Sequence, residues 1–200
     1  MERWITEYYD KMSDVYDELY GEEQWRKYVA LKDVISRIKG RVVDLGCGTL
    51  LLLEFMSVIG IEKRTSMYIG VDISTGMLKK AFEKAREHSS LVDLIRGDAR
   101  APCFREGSID YIVSITALKE DELLENNLLE NYKRIARVGV LISVLRENAE
   151  KLEQFVKHVE SDTSMHNKAT IEYRTLMEER ETVVVVFRQK QPRHHTSRLS

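Results

Sequence analysis

The chain has 200 residues, 43% of them hydrophobic and 32% charged, which is enough apolar material for one buried core and too much for a disordered chain. Lys and Arg number 31 against 33 Asp and Glu, and the formal net charge of -2 excludes the strong positive field of a protein that binds nucleic acid through phosphate contacts alone. No uncharged stretch approaches the roughly 20 residues that span a bilayer, and the first residues lack a signal-peptide pattern, so we expect a cytoplasmic protein with no membrane partner and no autonomous nucleic-acid binding.

Two amphipathic helices are predicted ahead of any strand. In the first, about Glu2–Tyr20, apolar and aromatic residues recur at helical spacing, and Gly21 is predicted to end it. The second covers about Glu22–Lys39 and ends at Gly40, a residue type common just after helices. We therefore assign residues 1–40 to an N-terminal helical unit.

Short β-rich runs then alternate with helical runs, the pattern of an α/β fold with crossover helices. Strands are predicted at Arg41–Leu45, Met67–Val71, Val92–Arg96, Ile109–Ile115 and Val138–Leu145, and helices at Leu50–Ile59, Thr75–His88, Glu120–Arg137 and Glu147–Ser161. Two further strand-like runs, Lys168–Met177 and Thr182–Gln189, are joined by a polar turn and predict an antiparallel hairpin. Residues 41–189 are therefore assigned to the core, and 190–200 to a flexible tail.

The segment Val42–Thr49 reads VVDLGCGT, in which a predicted strand runs into a Gly-x-Gly turn and then into a helix. Glycines allow tight-turn backbone angles and the close approach of a ligand to the main chain. The N-H groups at the start of the helix attract an anionic group, and such a turn lies at the carboxyl end of a parallel strand, where ligands bind. The segment therefore predicts a ligand site.

Acidic residues mark three successive strand ends. Asp44 lies in the first strand, Asp72 ends Tyr68–Asp72, and Asp98 follows the third strand. A carboxylate at the second position is suited to accept hydrogen bonds from a ribose diol, and one at the third from an exocyclic amine of a base. The three acids together favour a nucleotide-like cofactor over an ordinary tight turn.

A dinucleotide site is the competing prediction. It requires Gly-x-Gly-x-x-Gly with an acid roughly 20 residues further on. Leu51 occupies the third glycine position here, and Asp72 lies 26 residues after Gly46. An NAD-dependent oxidoreductase is therefore disfavoured.

The segments Val42–Thr49, Tyr68–Leu78 and Ile95–Ala99 resemble the first three motifs of class I S-adenosylmethionine-dependent methyltransferases. The resemblance implies a Rossmann-like sheet of seven strands whose last hairpin is antiparallel, with helices on both faces. The tyrosine-rich segments Tyr8–Asp10 and Tyr16–Tyr20 are similar to the N-terminal helical lid of compact, archaeal-type members. The implied cofactor is S-adenosyl-L-methionine, the implied product S-adenosyl-L-homocysteine, and no metal is implied.

The resemblance also implies roles for individual residues. Asp72 would bind the ribose hydroxyls, Ile73 would pack on the adenine face, and Asp98 would accept from the adenine amine. The full set of implied cofactor contacts is Asp44, Gly46, Cys47, Gly48, Asp72, Ile73, Asp98, Ala99, Ser114 and Tyr16. This chain departs from the family in having Leu50 where a third glycine is usual. A side chain at this position would narrow the pocket or shift the start of the helix, and either change would weaken cofactor binding.

No catalytic base is assigned, and the candidates near the reacting methyl group are Ser114, Thr116 and Tyr16. The chain has no inserted recognition domain, which favours a small-molecule acceptor, with RNA or protein as alternatives and a helper protein subunit as a further implication of the resemblance. A second hypothesis is a non-catalytic methyltransferase-like scaffold or partner subunit that binds the cofactor weakly because of Leu50.

Overall fold

The computed structural model describes residues 3–88, 90–119, 122–123, 128–145, 169–176 and 181–188. The predicted helix Glu147–Ser161 and the predicted tail at 190–200 lie outside these residues. Within the described ranges, no helix is long and apolar enough to cross a membrane.

Three helices precede the sheet: α1 (Arg3–Met12), α2 (Tyr16–Ala30) and α3 (Lys32–Ile35). The predicted break at Gly21 is wrong, because Gly21 is buried inside α2. The chain breaks at residues 13–15 instead, where the Ser13 hydroxyl donates to the Asp10 carbonyl at 2.9 Å and so competes with helical hydrogen bonding. A single glycine inside a helix costs only about 1 kcal/mol, which tertiary packing offsets.

The sheet contains β1 (Gly40–Leu45), β2 (Thr65–Asp72), β3 (Val92–Arg96), β4 (Ile109–Lys119), β5 (Ala136–Leu145), β6 (Ala169–Leu176) and β7 (Glu181–Arg188). The strand order is β3-β2-β1-β4-β5-β7-β6, in which β1 to β5 are parallel and β7 pairs antiparallel with both β5 and β6. The predicted α/β fold with five parallel strands is confirmed.

Crossover helices α4 (Leu51–Val58), α5 (Thr75–Ala85) and α6 (Leu128–Ile135) connect the parallel strands, and a 3₁₀ turn at Glu62–Arg64 precedes β2. The predicted helix Glu120–Arg137 is too long at its C-terminal end, since Ala136 and Arg137 already belong to β5. The fourth strand was expected to end at Ile115 but continues to Lys119, because its pairing with β5 resumes after a shift in register.

Two hydrophobic clusters pack on opposite faces of the sheet. Val42 belongs to one cluster and Val43 to the other, as expected from the alternation of side chains along a strand. Residues of α2 to α5 bury the first face, and residues of α6, with the fully buried Tyr132, cover the second. This packing fixes the carboxyl ends of β1, β2, β3 and β4 along one edge.

Candidate cofactor-binding site

The glycine turn between β1 and α4 is folded tightly against neighbouring strands. Gly46 and Gly48 have φ angles of +82° and +52°, which favour glycine. The N-H groups of Gly46 and Cys47 both donate to the Val71 carbonyl, at 2.7 and 3.0 Å. A Cβ atom on Gly46 would lie 2.2 Å from the Ala117 Cβ, so only glycine, which has no Cβ, fits at this position of the turn.

The Asp72 carboxylate links the glycine turn to the start of α5. Its Oδ2 accepts from the Gly48 N-H at 2.9 Å and its Oδ1 from the Ser74 N-H at 2.8 Å. Burial raises the pKa of Asp72, although these backbone hydrogen bonds oppose the shift. A carboxylate oxygen has two acceptor sites, so hydrogen bonds to the backbone are compatible with further bonds to ligand hydroxyls.

Asp98 lies next to a cation, Arg100, that was not predicted from the sequence. The Arg100 guanidinium donates to both Asp98 oxygens, at 3.0 Å to each, and also donates to Glu122 at 3.0 Å. Burial alone would raise the pKa of Asp98, but the hydrogen bonds and charge of Arg100 outweigh it and hold that pKa below its usual value. The pairing of Asp98 with Arg100 could have been predicted from the sequence, because the two residues are only two positions apart. The contact of Arg100 with Glu122 could not, because those residues are 22 positions apart.

Two predicted cofactor contacts lie beneath the floor of the site. Asp44 is buried and accepts a hydrogen bond from the Tyr68 hydroxyl at 2.6 Å, while the buried Ser114 hydroxyl donates to the Leu45 carbonyl at 3.0 Å. Neither residue is among those lining the cavity. Direct cofactor contacts of Asp44 and Ser114, and a catalytic role of Ser114, stay predictions.

Replacing Asp44 tests its ionisation. Burial is the main cause that raises the pKa of Asp44 to about 7. The folded state then keeps a proton that the unfolded state has lost from about pH 4 upward, so stability declines as pH rises toward 7. Asp44→Asn removes this decline, and we expect the wild-type Tm to fall by about 4 °C or more relative to the variant between about pH 4.5 and 7.5. Thermal melts across this range are the measurement.

The exposed Asp93→Asn serves as the control for the melts, and its Tm is expected to follow the wild-type curve throughout. Parallel curves for the wild type and Asp44→Asn would contradict the raised pKa.

A cavity of about 330 Å³ opens at the strand ends, within the size range of small-molecule sites. The predicted residues that line it are Tyr16, Gly46, Cys47, Gly48, Asp72, Ile73, Asp98, Ala99 and Thr116. The structure therefore brings together residues from four strand ends and from α2. The lining residues Trp4, Gln24 and Tyr28, from the N-terminal helices, were not predicted, since their approach depends on how those helices pack.

Tyrosines from α1 and α2 form one side of the cavity. The ring centroids of Tyr8 and Tyr9 are 5.4 Å apart, those of Tyr9 and Tyr16 6.4 Å, and those of Tyr16 and Tyr20 5.1 Å. Burial raises the pKa of both Tyr9 and Tyr16. Their hydroxyls are therefore neutral near pH 7, which disfavours Tyr16 as a general base.

The thiol of Cys47 is also held neutral. It is buried, burial raises its pKa, and its Sγ donates to the Gly48 carbonyl at 3.7 Å. Cys103 is exposed. In the part of the chain that the structure describes, no three His, Cys, Asp or Glu side chains are grouped as metal ligands.

Residues 42–139 match the sequence profile of a family described as a methyltransferase domain. The match begins at the strand before the glycine turn and includes Asp72, Asp98 and β4. Residues 42–139 therefore form a methyltransferase domain. The match confirms the predicted cofactor class, S-adenosylmethionine.

Among known proteins, demethylmenaquinone methyltransferase of Staphylococcus haemolyticus (strain JCSC1435) is 25% identical over 154 residues, which are 76% of this chain. The chain spans 61% of the length of that enzyme. Magnesium protoporphyrin IX methyltransferase of Synechocystis PCC 6803, solved with bound S-adenosylmethionine, has a TM-score of 0.65 at 13% identity, covering 92% of this chain and 95% of that one.

A third similar protein is a putative methyltransferase solved in complex with the Haloferax volcanii Trm112 methyltransferase activator. It has a TM-score of 0.63 at 17% identity, and the aligned region covers 91% of this chain and 98% of that methyltransferase. At these identities the structural likenesses show the shared methyltransferase fold.

Leu50, the departure from the family pattern, does not face the cavity. It has a φ of +71°, and its side chain is fully buried in the hydrophobic cluster around α4. At the position of the family's glycine, Leu50 therefore adopts a strained left-handed backbone conformation. The packing of its side chain in the core offsets that strain. Crowding of the cofactor by Leu50 is not expected from this arrangement.

Leu50→Gly separates these two effects. Relief of the left-handed conformation is worth about 1–2 kcal/mol, whereas loss of a buried leucine side chain costs about 3–5 kcal/mol, so we expect a net loss of about 1–4 kcal/mol in the free energy of unfolding. Affinity for S-adenosylhomocysteine should stay within about twofold, because the side chain lies outside the cavity. Denaturant unfolding and calorimetry measure the two quantities.

The matched control is Leu53→Ala, a fully buried residue of α4, which loses packing without the compensating backbone relief. A drop in cofactor affinity of tenfold or more in a folded Leu50→Gly variant would show that the side chain shapes the cavity.

Proposed function

We propose that this chain transfers a methyl group from S-adenosylmethionine to a small-molecule acceptor. The observation that carries the proposal is the linkage of the Gly46–Gly48 turn to Asp72, which lie together on the wall of one cavity. The geometry favours a ligand that needs both a close approach to the backbone and a carboxylate acceptor.

In this proposal Asp72 accepts from the ribose hydroxyls, Ile73 packs on the adenine face, and the Ala99 N-H donates to an adenine ring nitrogen. Asp98 accepts from the adenine amine while Arg100 fixes its carboxylate in place. All of these residues line the cavity, which supports the assignment. Asp44 does not line the cavity; its hydrogen bond with the Tyr68 hydroxyl holds the end of β1 next to β2.

The bound cofactor would supply an electrophilic methyl group with a good leaving group. The chain's own residues then have to position the acceptor in line and exclude water. The partly buried Tyr9 and Tyr16 support the second role, because they place apolar ring surface over the strand ends. The match to a methyltransferase domain favours this proposal over a non-catalytic scaffold, and Leu50 lies away from the cavity.

We further propose that residues 1–40 form a lid over a core at 41–189, with the seven-stranded sheet and closing antiparallel hairpin of the family. Carboxylates on α1 and α2 support the lid. Asp10 Oδ1 accepts from the Ser74 hydroxyl at 2.6 Å and from the Gly76 N-H at 2.8 Å, at the start of α5. Asp17 accepts from the Thr49 hydroxyl at 2.5 Å, next to the glycine turn.

Asp10→Ala tests the lid. Loss of two hydrogen bonds at a helix start is worth about 0.5–2 kcal/mol, so we expect release of S-adenosylhomocysteine to become about tenfold faster. Stopped-flow fluorescence of the bound complex gives the rate. Glu18→Ala, at an exposed position of α2, is the matched control and should leave the rate unchanged. Equal rates in all three proteins would count against a lid role.

A small-molecule acceptor is supported by the cavity itself, which is about 330 Å³ and rich in tyrosine. Two similar proteins are methyltransferases named for demethylmenaquinone and for magnesium protoporphyrin IX. A helper subunit is a second possibility, which the neighbour solved with the Trm112 activator supports. The cytoplasmic location stays a prediction.

The first test is isothermal titration of the full chain with S-adenosylmethionine and S-adenosylhomocysteine, with NAD as the control. We expect micromolar affinity for the first two and none for NAD. Transfer of a labelled methyl group to small-molecule, RNA and protein fractions then identifies the acceptor class. A folded chain that binds neither cofactor form would favour the scaffold alternative, and its rescue by a copurified protein would favour the helper subunit.

A further inference from the structure

The fourth strand has a bulge where it reaches the cavity. Its pairing with β5 passes from Ile115 opposite Ser143 to Leu118 opposite Val144, and so skips Thr116 and Ala117. Thr116 has a φ of +58°, which is rare for a β-branched residue. Bulges redirect side chains, and backbone strain of this kind is found where the surroundings enforce it, often at functional sites.

Buried polar groups hold Thr116 in this conformation. Its backbone N-H donates to the Ser143 hydroxyl at 3.0 Å, and its own hydroxyl oxygen accepts from the Lys27 ammonium at 3.1 Å. Lys27 belongs to α2, its side chain is 0% exposed, and it also pairs with Glu23 at 2.7 Å. A cation from the N-terminal helices is thereby bonded to a residue of the cavity wall.

A fully buried lysine is expensive for stability. Even a paired ammonium loses hydration that an apolar side chain of similar size would not lose, so packing alone does not explain Lys27. An ammonium bonded to a hydroxyl oxygen polarises the O-H group, which strengthens it as a donor toward an anionic oxygen. Lys27 does not line the cavity, and its effect reaches a ligand through Thr116, which does.

We propose that Thr116, polarised by Lys27, positions an acceptor whose nucleophile is an ionised oxygen, a carboxylate or a phenolate. This proposal rests on the proposed methyl transfer and names its substrate class. A lone pair of the acceptor oxygen forms the new bond to the methyl carbon, while the carbon–sulfur bond breaks and its electron pair stays on sulfur. The anion and the sulfonium become a neutral methyl ester or ether and a neutral thioether, so no proton has to be removed.

The other cations near the cavity are less suited than Lys27 to stabilise a bound anion. The acidic and basic side chains that line it are Asp72, Asp98, Arg100, Lys119 and Glu122. Arg100 is bonded to two carboxylates, Asp98 and Glu122, which offset its charge, whereas Lys27 pairs with one, Glu23, which is 39% exposed. Lys119 is exposed at the end of β4, where water screens it, whereas the buried Lys27 acts at low dielectric.

The test uses the full chain loaded with S-adenosylhomocysteine and 4-nitrophenol as the probe, because the absorbance of this phenol reports its ionisation. Binding is measured below and above the pKa of the free phenol. We expect the anionic form to bind about tenfold more tightly than the neutral form, equivalent to lowering the pKa of the bound phenol by about one unit. Equal binding of the two forms, or no binding of the anion, overturns the proposal.

Variants assign the effect to the two residues. Lys27→Met and Thr116→Val should reduce the preference for the anion to about twofold or less, and Thr116→Ser, which keeps the hydroxyl, should retain it. Lys79→Met, at an exposed position of α5, is the control for a general loss of positive charge. Retention of the preference in a folded Lys27→Met variant contradicts the proposed role.

Affinity for S-adenosylhomocysteine distinguishes this proposal from the proposed function. It should stay within about threefold in Lys27→Met and Thr116→Val, with thermal melts confirming that both fold. A loss of tenfold or more in cofactor affinity would place the Lys27 charge at the cofactor and overturn the acceptor role. If the wild type binds no cofactor, the proposed methyl transfer is refuted, and the acceptor role, which rests on it, is refuted with it.

Discussion

Gly46→Ala is expected to lower cofactor affinity by at least about a hundredfold, which corresponds to about 2.7 kcal/mol. The added Cβ would lie 2.2 Å from the Ala117 Cβ, far inside contact distance, at a residue with a φ of +82°. Overpacking costs about 1–3 kcal/mol and the left-handed conformation about 1–2 kcal/mol, so the turn must move away from β4. Calorimetric titration with S-adenosylhomocysteine and denaturant unfolding measure the two losses.

The chain supplies a matched control for this substitution. Gly60 has a φ of +76°, but a Cβ there would have no atom within 4 Å, so Gly60→Ala carries the conformational cost without the collision. Its affinity for the cofactor should equal that of the wild type. The double variant Gly46→Ala with Ala117→Gly removes the colliding atom, and recovery of affinity would identify the contact as the cause. Equal behaviour of Gly46→Ala and Gly60→Ala would refute the steric argument.

Features that depend on neighbouring residues could be predicted from the sequence. The strand, glycine turn and helix at Val42–Thr49, and the acid that ends β2, follow from residue preferences over a few positions. Their meeting follows from the rule that parallel strands place their carboxyl ends at one edge. This is why most of the predicted cofactor contacts line the same cavity.

Features that depend on packing could not be predicted. The third-glycine position suggested that Leu50 crowds the cofactor, but a backbone with φ of +71° directs its side chain into the core. The bond between Lys27 and Thr116 joins residues 89 positions apart, and no local pattern indicates it. The helix break at residues 13–15 was not predicted, because it depends on the hydrogen bond of Ser13 to the Asp10 carbonyl, which competes with helix formation. Gly21, where the break was predicted, is buried within α2.

Asp72→Ala is expected to weaken cofactor binding by about 1–3 kcal/mol, or roughly 5- to 150-fold, as for loss of hydrogen bonds to a charged group. The Gly48 and Ser74 N-H groups would both lose the carboxylate that orients the turn, in addition to the proposed ribose contact. Asp72→Asn keeps the volume but presents an amide donor to one of these N-H donors, so it should also weaken binding. Calorimetry with S-adenosylhomocysteine gives the affinities.

Asp93→Ala is the matched control, because this aspartate is exposed on the neighbouring strand β3. It removes the same charge from the protein without touching the glycine turn, and its affinity should be that of the wild type. Titration with adenine alone separates the ribose contact from a general collapse of the site, since adenine lacks the hydroxyls and should bind wild type and Asp72→Ala equally. Unchanged cofactor affinity in a folded Asp72→Ala variant would reject the ribose role, and the turn would then owe its conformation to the Val71 carbonyl and Ala117.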